Sequence, residues 1–555
     1  MRSIFRLLLA GVPTALAAAP ASAPDPRLEG WNTEAVADTL DLNGLAEAIA
    51  SGGELPGTAS ISFPAVEGKP VSAGGFLVSV WTLPKAAGQG AKGLAALRKW
   101  LGVAGSGDAV HAKWKTVQVK PGPVMETQQI FHLDREGVEW NGEATLTWTG
   151  EPPALRSLVL HRMEKTVRTA KTALRFTDAT GAVLAGVADF AAQYLHGTAY
   201  WRNRLEKRMN CLKFGQTGLA VADVDGDGLE DVYSCQNGGL PNRLFLHQRD
   251  GTVQDATAGS GLDILDCTQT ALFTDLDGDG DPDAVLALLG PLAIFENDGR
   301  GKFTRRALIP AADTGFGLAA TDYDGDGDTD IFICRYFASA ADGGALARPL
   351  PTFDANNGGS DVLLRNEGKF TFSDVTAATG LDEHNRRYGY ACVWDDVNND
   401  GLPDLYVAND FGRNCLYIQS RGPNGAPQFR EMADAAGLAG GAFGMSAATG
   451  DYNRDGLPDI HLGAMWSSAG HRITRAEPFR QGEDAARRER YFQMARGNSL
   501  FANAGDGKFT DVSDAAGIRL GRWAWSCLFA DANNDGWEDL LVANGFVTGD
   551  AKDDL

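Results

Sequence analysis

Six times between residues 223 and 539 the chain repeats one nine-residue pattern, D-x-[D/N]-x-D-G-x-x-D. Positions 1, 3, 5 and 9 are Asp223, Asp225, Asp227 and Asp231 in the first copy, and Asp275, Asp277, Asp279 and Asp283 in the second. They are Asp322, Asp324, Asp326 and Asp330 in the third, and Asp396, Asn398, Asp400 and Asp404 in the fourth. The fifth has Asp451, Asn453, Asp455 and Asp459, and the sixth Asp531, Asn533, Asp535 and Asp539. An apolar or small-residue stretch precedes each copy, and a β-type run (VYSC, AVLALL, IFIC, LYVAN, IHLGAM, LLVAN) follows it. A second signature, N-x-L-[F/Y/L]-x-[N/H]-x-x-G-x-[F/V], comes after most copies, as from Asn242 to Val253 and from Asn498 to Phe509. Self-similarity at this period limits the chain to stacked or radial repeats.

The spacing carries chemistry. Calcium takes six to eight oxygens, and side chains at positions 1, 3 and 5 of a tight loop converge on one point. Glycine at position 6 permits the turn, the carbonyl at position 7 adds a ligand, and position 9 closes the shell from the next strand. An EF-hand is excluded. Position 12, where a bidentate Glu belongs, is Ser234, Leu286, Ile333, Val407, Leu462 or Val542, and β-type sequence follows rather than a helix. Plain Asp/Gly hairpin turns are the alternative, but turns do not need four oxygen side chains at fixed offsets. The chain holds 72 acidic against 50 basic residues, a formal charge of −22, and 21 of those acids occupy the loop positions. About six structural Ca²⁺ ions are therefore expected. The acidic balance argues against binding nucleic acid or anionic membranes.

Strand, acidic loop, strand, connection, strand, Gly-rich hairpin, strand is the order of a four-stranded propeller blade. Together with Phe316-Gly317, Phe443-Gly444 and the NSLFANAGDGKFTDVSDAAGI stretch from Asn498, the loops make the sequence resemble the FG-GAP/VCBS repeat family, whose blades build the integrin α head. It looks most like the secreted cartilage-acidic-protein-like group. The resemblance covers residues 212–555 and implies a mainly β fold. That fold is a seven-bladed β-propeller with calcium between the first two strands of each blade. It also implies a secreted protein- or glycan-binding, adhesion-type module. Five full blades and half of a sixth can be counted, and the ASPIC/UnbV domain common in related proteins is not found. Either N-terminal strands complete the ring or the chain is truncated.

Strand parity puts the acidic loops and the Gly-rich hairpins on one face. The largest insertions, 335–360 and 465–497, join second to third strands and so rise on the opposite face, the expected recognition surface for an extracellular protein or glycan. The second insertion is rich in arginine, fit for an anionic polysaccharide through fork-like contacts or, more simply, for a solvated helix with Glu483–Arg487 and Asp484–Arg488 pairs. Trp466, His471 and Tyr491 are candidate sugar-site residues.

Residues 1–23 read as a signal peptide: Arg2 and Arg6, an apolar stretch from Leu7 to Ala19, then small residues. No other apolar run approaches a membrane span, so an exported protein is expected, whether periplasmic, cell-surface or secreted. Seven cysteines are too few for a disulfide scaffold; their recurrence at fixed offsets from the loops favours buried thiols, with one or two disulfides as the alternative. Residues 28–200 lack the repeat and read as a smaller α+β domain, in outline an NTF2-like cone, with a long antiparallel meander and a helix around Val183, Val187, Phe190 and Tyr194. The competing function is a polysaccharide-active hydrolase or lyase on a propeller scaffold. No G-x-S-x-G or H-E-x-x-H motif occurs, and the eight histidines form no spacing motif, so no catalytic residue is assigned.

Overall fold

The computed structural model describes residues 39–51, 60–62, 71–73, 76–82, 94–101, 111–168 (except 121 and 136) and 178–545. Within the last range, 197–199, 202–203, 206–216, 311–314, 338–348, 441–442, 467–469, 471–473, 475–481, 520 and 522 are not described. The expected signal segment, residues 1–23, lies outside the described residues. No helix among them is long and apolar enough to cross a membrane.

The chain divides into two compact units, Met1–Ala173 and Leu174–Leu555. The first holds helices α1 (Leu42–Ser51) and α2 (Leu94–Leu101) and strands β1 (Ser60–Ser62), β2 (Val71–Ala73), β3 (Phe76–Thr82), β4 (His111–Lys120), β5 (Met125–Arg135), β6 (Val138–Thr149) and β7 (Ala154–Arg168). They form one sheet of order β2-β3-β7-β6-β5-β4, with β1 parallel to β7. Alternation in Val138–Thr149 puts Trp140, Ala144, Leu146 and Trp148 on the buried face, where Leu45, Ile49, Leu97 and Leu101 of the helices join them. Thr127 takes a hydrogen bond from the buried indole of Trp148 at 2.9 Å and one from Gln129 at 3.0 Å. The division falls at Ala173 rather than at 200. The helix expected around Val183–Tyr194 is two short ones, Thr180–Val183 and Phe190–Gln193, on the second unit's side of the boundary. Arg243 of that unit pairs with Asp189 at 2.9 Å and donates to Gln193 at 2.8 Å.

Among the described residues the second unit contains five four-stranded antiparallel sheets and a two-stranded one. Blade 1 runs Leu219–Ala222, Asp231–Ser234, Arg243–His247 and Val253–Asp255; blade 2 runs Thr268–Thr274, Asp283–Leu288, Leu292–Asn297 and Phe303–Ile309. Blade 3 is Gly315–Thr321, Asp330–Arg335, Val362–Asn366 and Phe372–Asp374; blade 4 is Gly389–Asp395, Asp404–Asn409, Cys415–Arg421 and Pro427–Glu431. Blade 5 is Gly444–Gly450, Asp459–Ala464, Ser499–Asn503 and Phe509–Asp511, and the sixth sheet pairs Ala524–Ala530 with Asp539–Asn544. First strands of successive blades pack side by side from blade 1 through to the sixth. Seven blades are not reached among the described residues. Among those residues one strand follows the sixth loop, and the N-terminal strands pair among themselves.

The core lies between blades. Four apolar clusters join blades 1 and 2, 2 and 3, 3 and 4, and 4 and 5. The second strands of blades 2 to 5 are therefore buried at every position, which is why AVLAL and LYVA read as unbroken apolar runs. The glycine of Phe316-Gly317 is required here: a Cβ would stand 2.7 Å from the Tyr390 carbonyl on the neighbouring first strand. Six cysteines are described, of which Cys235, Cys267, Cys334 and Cys415 are buried; Cys235, Cys334, Cys392, Cys415 and Cys527 are free thiols. Burial pushes Cys235 and Cys415 up to about 12.

The first residue of the second signature also has a structural task. Asn242, Asn414 and Asn498 each accept, through Oδ1, the N–H of a residue just past or ending the second strand, at 2.7, 3.0 and 3.0 Å. Blade 3 has Asp361 in that place, accepting from the Arg335 N–H at 2.7 Å. Burial, opposed by that bond and by the Arg335 charge without being outweighed, pushes Asp361 up to about 8. An unfolded aspartate titrates near 3.9. The folded chain therefore holds a proton there that the unfolded chain releases above about pH 4, and the stability this site contributes falls as pH rises toward 8, by up to about 1.4 kcal/mol per unit. Asp361→Asn is expected to match the wild type near pH 4 and to exceed it near pH 8 in denaturant unfolding. A variant less stable than wild type at pH 8 contradicts this.

Candidate metal centres on the loop face

Each acidic loop is organised around its first carboxylate. In the first loop Asp223 accepts the N–H groups of Gly226, Asp227 and Gly228 at 2.9, 3.1 and 2.8 Å. The third loop repeats this with Asp322 and residues 325–327 at 2.7, 3.1 and 3.0 Å. Position 6 is left-handed glycine in all six copies, φ 82–97°. Position 4 is left-handed too: Gly226, Gly278 and Gly325 in the first three loops, Asn399, Arg454 and Asn534 in the others. The repeat pattern leaves position 4 unspecified, although Gly or Asn in five of its six copies signals the requirement.

Position 9 has a task besides the expected one. Both oxygens of Asp283 accept backbone N–H groups, from Leu276 at loop position 2 (3.0 Å) and from Asn297 at the end of the third strand (2.8 Å). Asp231, Asp330, Asp404 and Asp459 do the same with Val224 and His247, Tyr323 and Asn366, Val397 and Gln419, and Tyr452 and Asn503, at 2.8–3.2 Å. Asp539 accepts from Ala532 at 3.2 Å. Position 9 is first a clamp between loop and sheet. Burial pushes Asp283 and Asp459 up to about 6 and Asp330 and Asp404 up to about 7, against the pull of these same bonds.

The third-strand residue reaches further. The Asn297 amide donates to the Val224 carbonyl of blade 1 at 2.9 Å, Asn366 to Leu276 of blade 2 at 2.8 Å, Gln419 to Tyr323 of blade 3 at 2.8 Å, and Asn503 to Val397 of blade 4 at 2.8 Å. Those position-2 side chains are all buried between blades. These bonds, with Arg249 and Arg421 donating to the loop carbonyls of Asp227 and Asp324 at 3.2 and 3.0 Å, bring the loops and third-strand ends to one face, as parity requires.

Three loops gather carboxylates closely enough to share an ion. One oxygen each from Asp223, Asp225 and Asp231 lies within 4.8 Å of the others, as do Asp275, Asp277 and Asp279, and Asp322, Asp324 and Asp330. Position 9 thus joins the cluster in the first and third loops, and Asp279 stands in its place in the second. The fourth to sixth loops carry Asn398, Asn453 and Asn533 at position 3, an oxygen donor of lower charge. Burial and then the position-5 carboxylate hold Asp225, Asp277 and Asp324 above the usual range. A carboxylate has about four acceptor sites. Position 3 spends one on a long bond, 3.2–3.3 Å from the position-5 N–H, and keeps the rest for a cation. An all-oxygen, multiply charged set suits a hard divalent ion.

The opposite face is aromatic. First-strand starts and second-strand ends bring together Phe316, Tyr336, Tyr390, Phe411, Phe443 and Trp525, in ring contacts of 5.0–6.5 Å. All but Phe316 are half-buried. Of the suggested sugar-site trio, Trp466 bridges to Arg496 and Tyr491 packs edge-on against Phe353; His471 lies outside the described residues. Asp484 is the N-cap of helix Ala485–Met494, accepting from the Arg487 N–H at 2.7 Å.

The FG-GAP-like repeat model matches residues 223–286, 275–333, 396–462 and 491–542, and its matches skip most of both insertions. Cartilage acidic protein 1 of Homo sapiens is 23% identical over 353 residues, 59% of this chain, which spans 47% of that relative's length. Integrin alpha-V of Gallus gallus is 27% identical over 251 residues, 40% of this chain and 22% of its own. A solved lectin of Agrocybe aegerita aligns with 60% of this chain and 75% of its own at a TM-score of 0.34 and 14% identity, a loose likeness. Residues 223–333, 396–462 and 491–542 are thus FG-GAP-like repeats, and the chain is similar to cartilage acidic protein 1 and to integrin alpha-V over part of their length.

Proposed function

We propose that this is an exported, calcium-stabilised propeller-type module that binds an extracellular protein or glycan through the face opposite its acidic loops. The observation that carries the reading is the division between the faces. Loop carboxylates are spent on backbone N–H groups and on positions fit for a cation, whereas the other face collects half-buried aromatic rings and both long insertions. Calcium is structural in this reading, held by positions 1, 3 and 5 of all six loops with position 9 behind them. Neutralising the clusters links ion binding to folding.

Calcium titration of the full chain is expected to count about six ions, with a large fall in Tm on chelation. An unchanged melt and no bound ion would make the loops plain turns. Two substitutions separate the roles of the carboxylates. Asp324→Ala is expected to remove one ion and to lower stability in calcium but hardly at all in chelator. Asp330→Ala strands two buried N–H groups and is expected to cost about 2–5 kcal/mol in both conditions. Equal behaviour of the two variants overturns the assignment. Binding is tested on glycan and extracellular-protein arrays. Trp525→Ala is expected to lose signals that Lys508→Ala, on the loop face, retains; the reverse pattern moves the recognition surface to the loops.

A further inference from the structure

The two insertions meet. Phe353 and Asp354, from the second-to-third-strand connection of blade 3, face helix Ala485–Met494 from the equivalent connection of blade 5. Arg487, Arg490, Tyr491 and Met494 recur at i, i+3, i+4 and i+7, one side of that helix. Tyr491 stands edge-on to the Phe353 ring at 5.0 Å, and the guanidinium groups of Arg487 and Arg490 lie 6.0 and 5.9 Å from its centre. Asp354 is shared by Arg387 at 2.5 Å, Arg413 at 3.1 Å and, loosely, Arg490 at 3.9 Å. Burial raises its pKa, but the first two arginines outweigh this and hold it below the usual carboxylate range. Arg413 also pairs with Asp434.

Beside this group opens a cavity of about 260 Å³, lined by Phe353, Arg413, Asp434, Arg490, Gln493 and the chain at Gly437–Gly440. Four guanidinium groups face two carboxylates, a local positive excess in a chain of formal charge −22. Arg387 and Arg413 satisfy Asp354, so Arg490, 47% exposed and at long range, has a fork to spare. A guanidinium fork matches a planar carboxylate through two parallel hydrogen bonds. The wall also carries a carboxylate, Asp434, and an amide, Gln493, which suit hydroxyl groups. Asp434 opposes any anionic ligand equally, but each residue of an acidic sugar carries several hydroxyl groups for Asp434 and Gln493, where a residue of an acidic peptide offers one backbone N–H. The volume, below the usual range for drug-sized ligands, is that of a site for one residue of a chain.

We infer that this cavity holds one uronic-acid residue of an extracellular polysaccharide, with its carboxylate on Arg490 and Arg413 and its hydroxyls on Asp434 and Gln493. The inference rests on the binding face proposed above and gives it a ligand class.

The test is calorimetric titration of the full calcium-loaded chain with hexagalacturonate, its methyl ester and hexaglutamate. Hexagalacturonate is expected to bind at least tenfold more tightly than the other two. Arg490→Gln is expected to weaken it tenfold or more with Tm unchanged, and Arg490→Lys to restore little, since a point charge lacks the fork. Gln493→Glu, which adds a carboxylate to the wall, is expected to abolish binding and serves if the arginine variants fold poorly. Equal binding of acid and ester, no binding of the acid, or indifference to both substitutions overturns the inference. Tighter hexaglutamate binding makes the ligand an acidic protein and also overturns it. Array signals that vanish in Trp525→Ala but persist in Arg490→Gln leave the binding face standing and remove only this pocket.

Discussion

The repeat depends on one carboxylate per blade, the aspartate at loop position 9. It receives the N–H of loop position 2 on one oxygen and the N–H ending the third strand on the other. A charged acceptor holding two buried N–H groups contributes about 1.5–3 kcal/mol per bond, and its removal leaves both donors dry. The same third-strand residue then donates its side-chain amide to the preceding blade's loop. Sheet, loop and neighbouring blade are therefore joined at a single point, repeated along the array.

That construction explains why the two faces differ. On the loop face the carboxylates at positions 1 and 9 hold the turn, and position 3 keeps oxygen capacity for a cation. On the other face Asn242, Asp361, Asn414 and Asn498 close the strand ends by accepting one backbone N–H each, and the amides of Asn242 and Asn414 donate onward to Tyr233 and Thr268 and to the Gly440 carbonyl. The connections there are free to lengthen, and in blades 3 and 5 they do. Blade 2 joins its second and third strands in three residues, with Pro291 at the end of the turn.

Much of this was legible in the residues. Offsets between Asp223 and Asp539 marked the strand order, and unbroken apolar runs such as AVLALL marked strands packed on both sides. Other features stayed hidden because a pattern does not say which atoms face each other. The two N–H groups that position 9 accepts are not legible in the spacing, since carboxylates that clamp N–H groups and carboxylates that bind calcium share one letter. Asp484 looked like half of an i,i+4 pair and is a helix cap. The sixth position of the second signature ends the third strand, and where it is Asn its side-chain amide donates to the preceding blade, to a residue 73 positions away in the case of Asn297 and Val224.

The sequence alone determined what is local and periodic: loop chemistry, strand order, the face on which each connection emerges, and the kinship with FG-GAP-like repeats. These follow from spacing within about ten residues, where backbone geometry leaves few choices. Only the tertiary structure decided what is joined across long separations. It put Asp354 between Arg387, Arg413 and Arg490, gathered aromatic rings from four sheets, and divided the chain at Ala173. Such meetings are set by how strands pack side by side, and no short-range period encodes them.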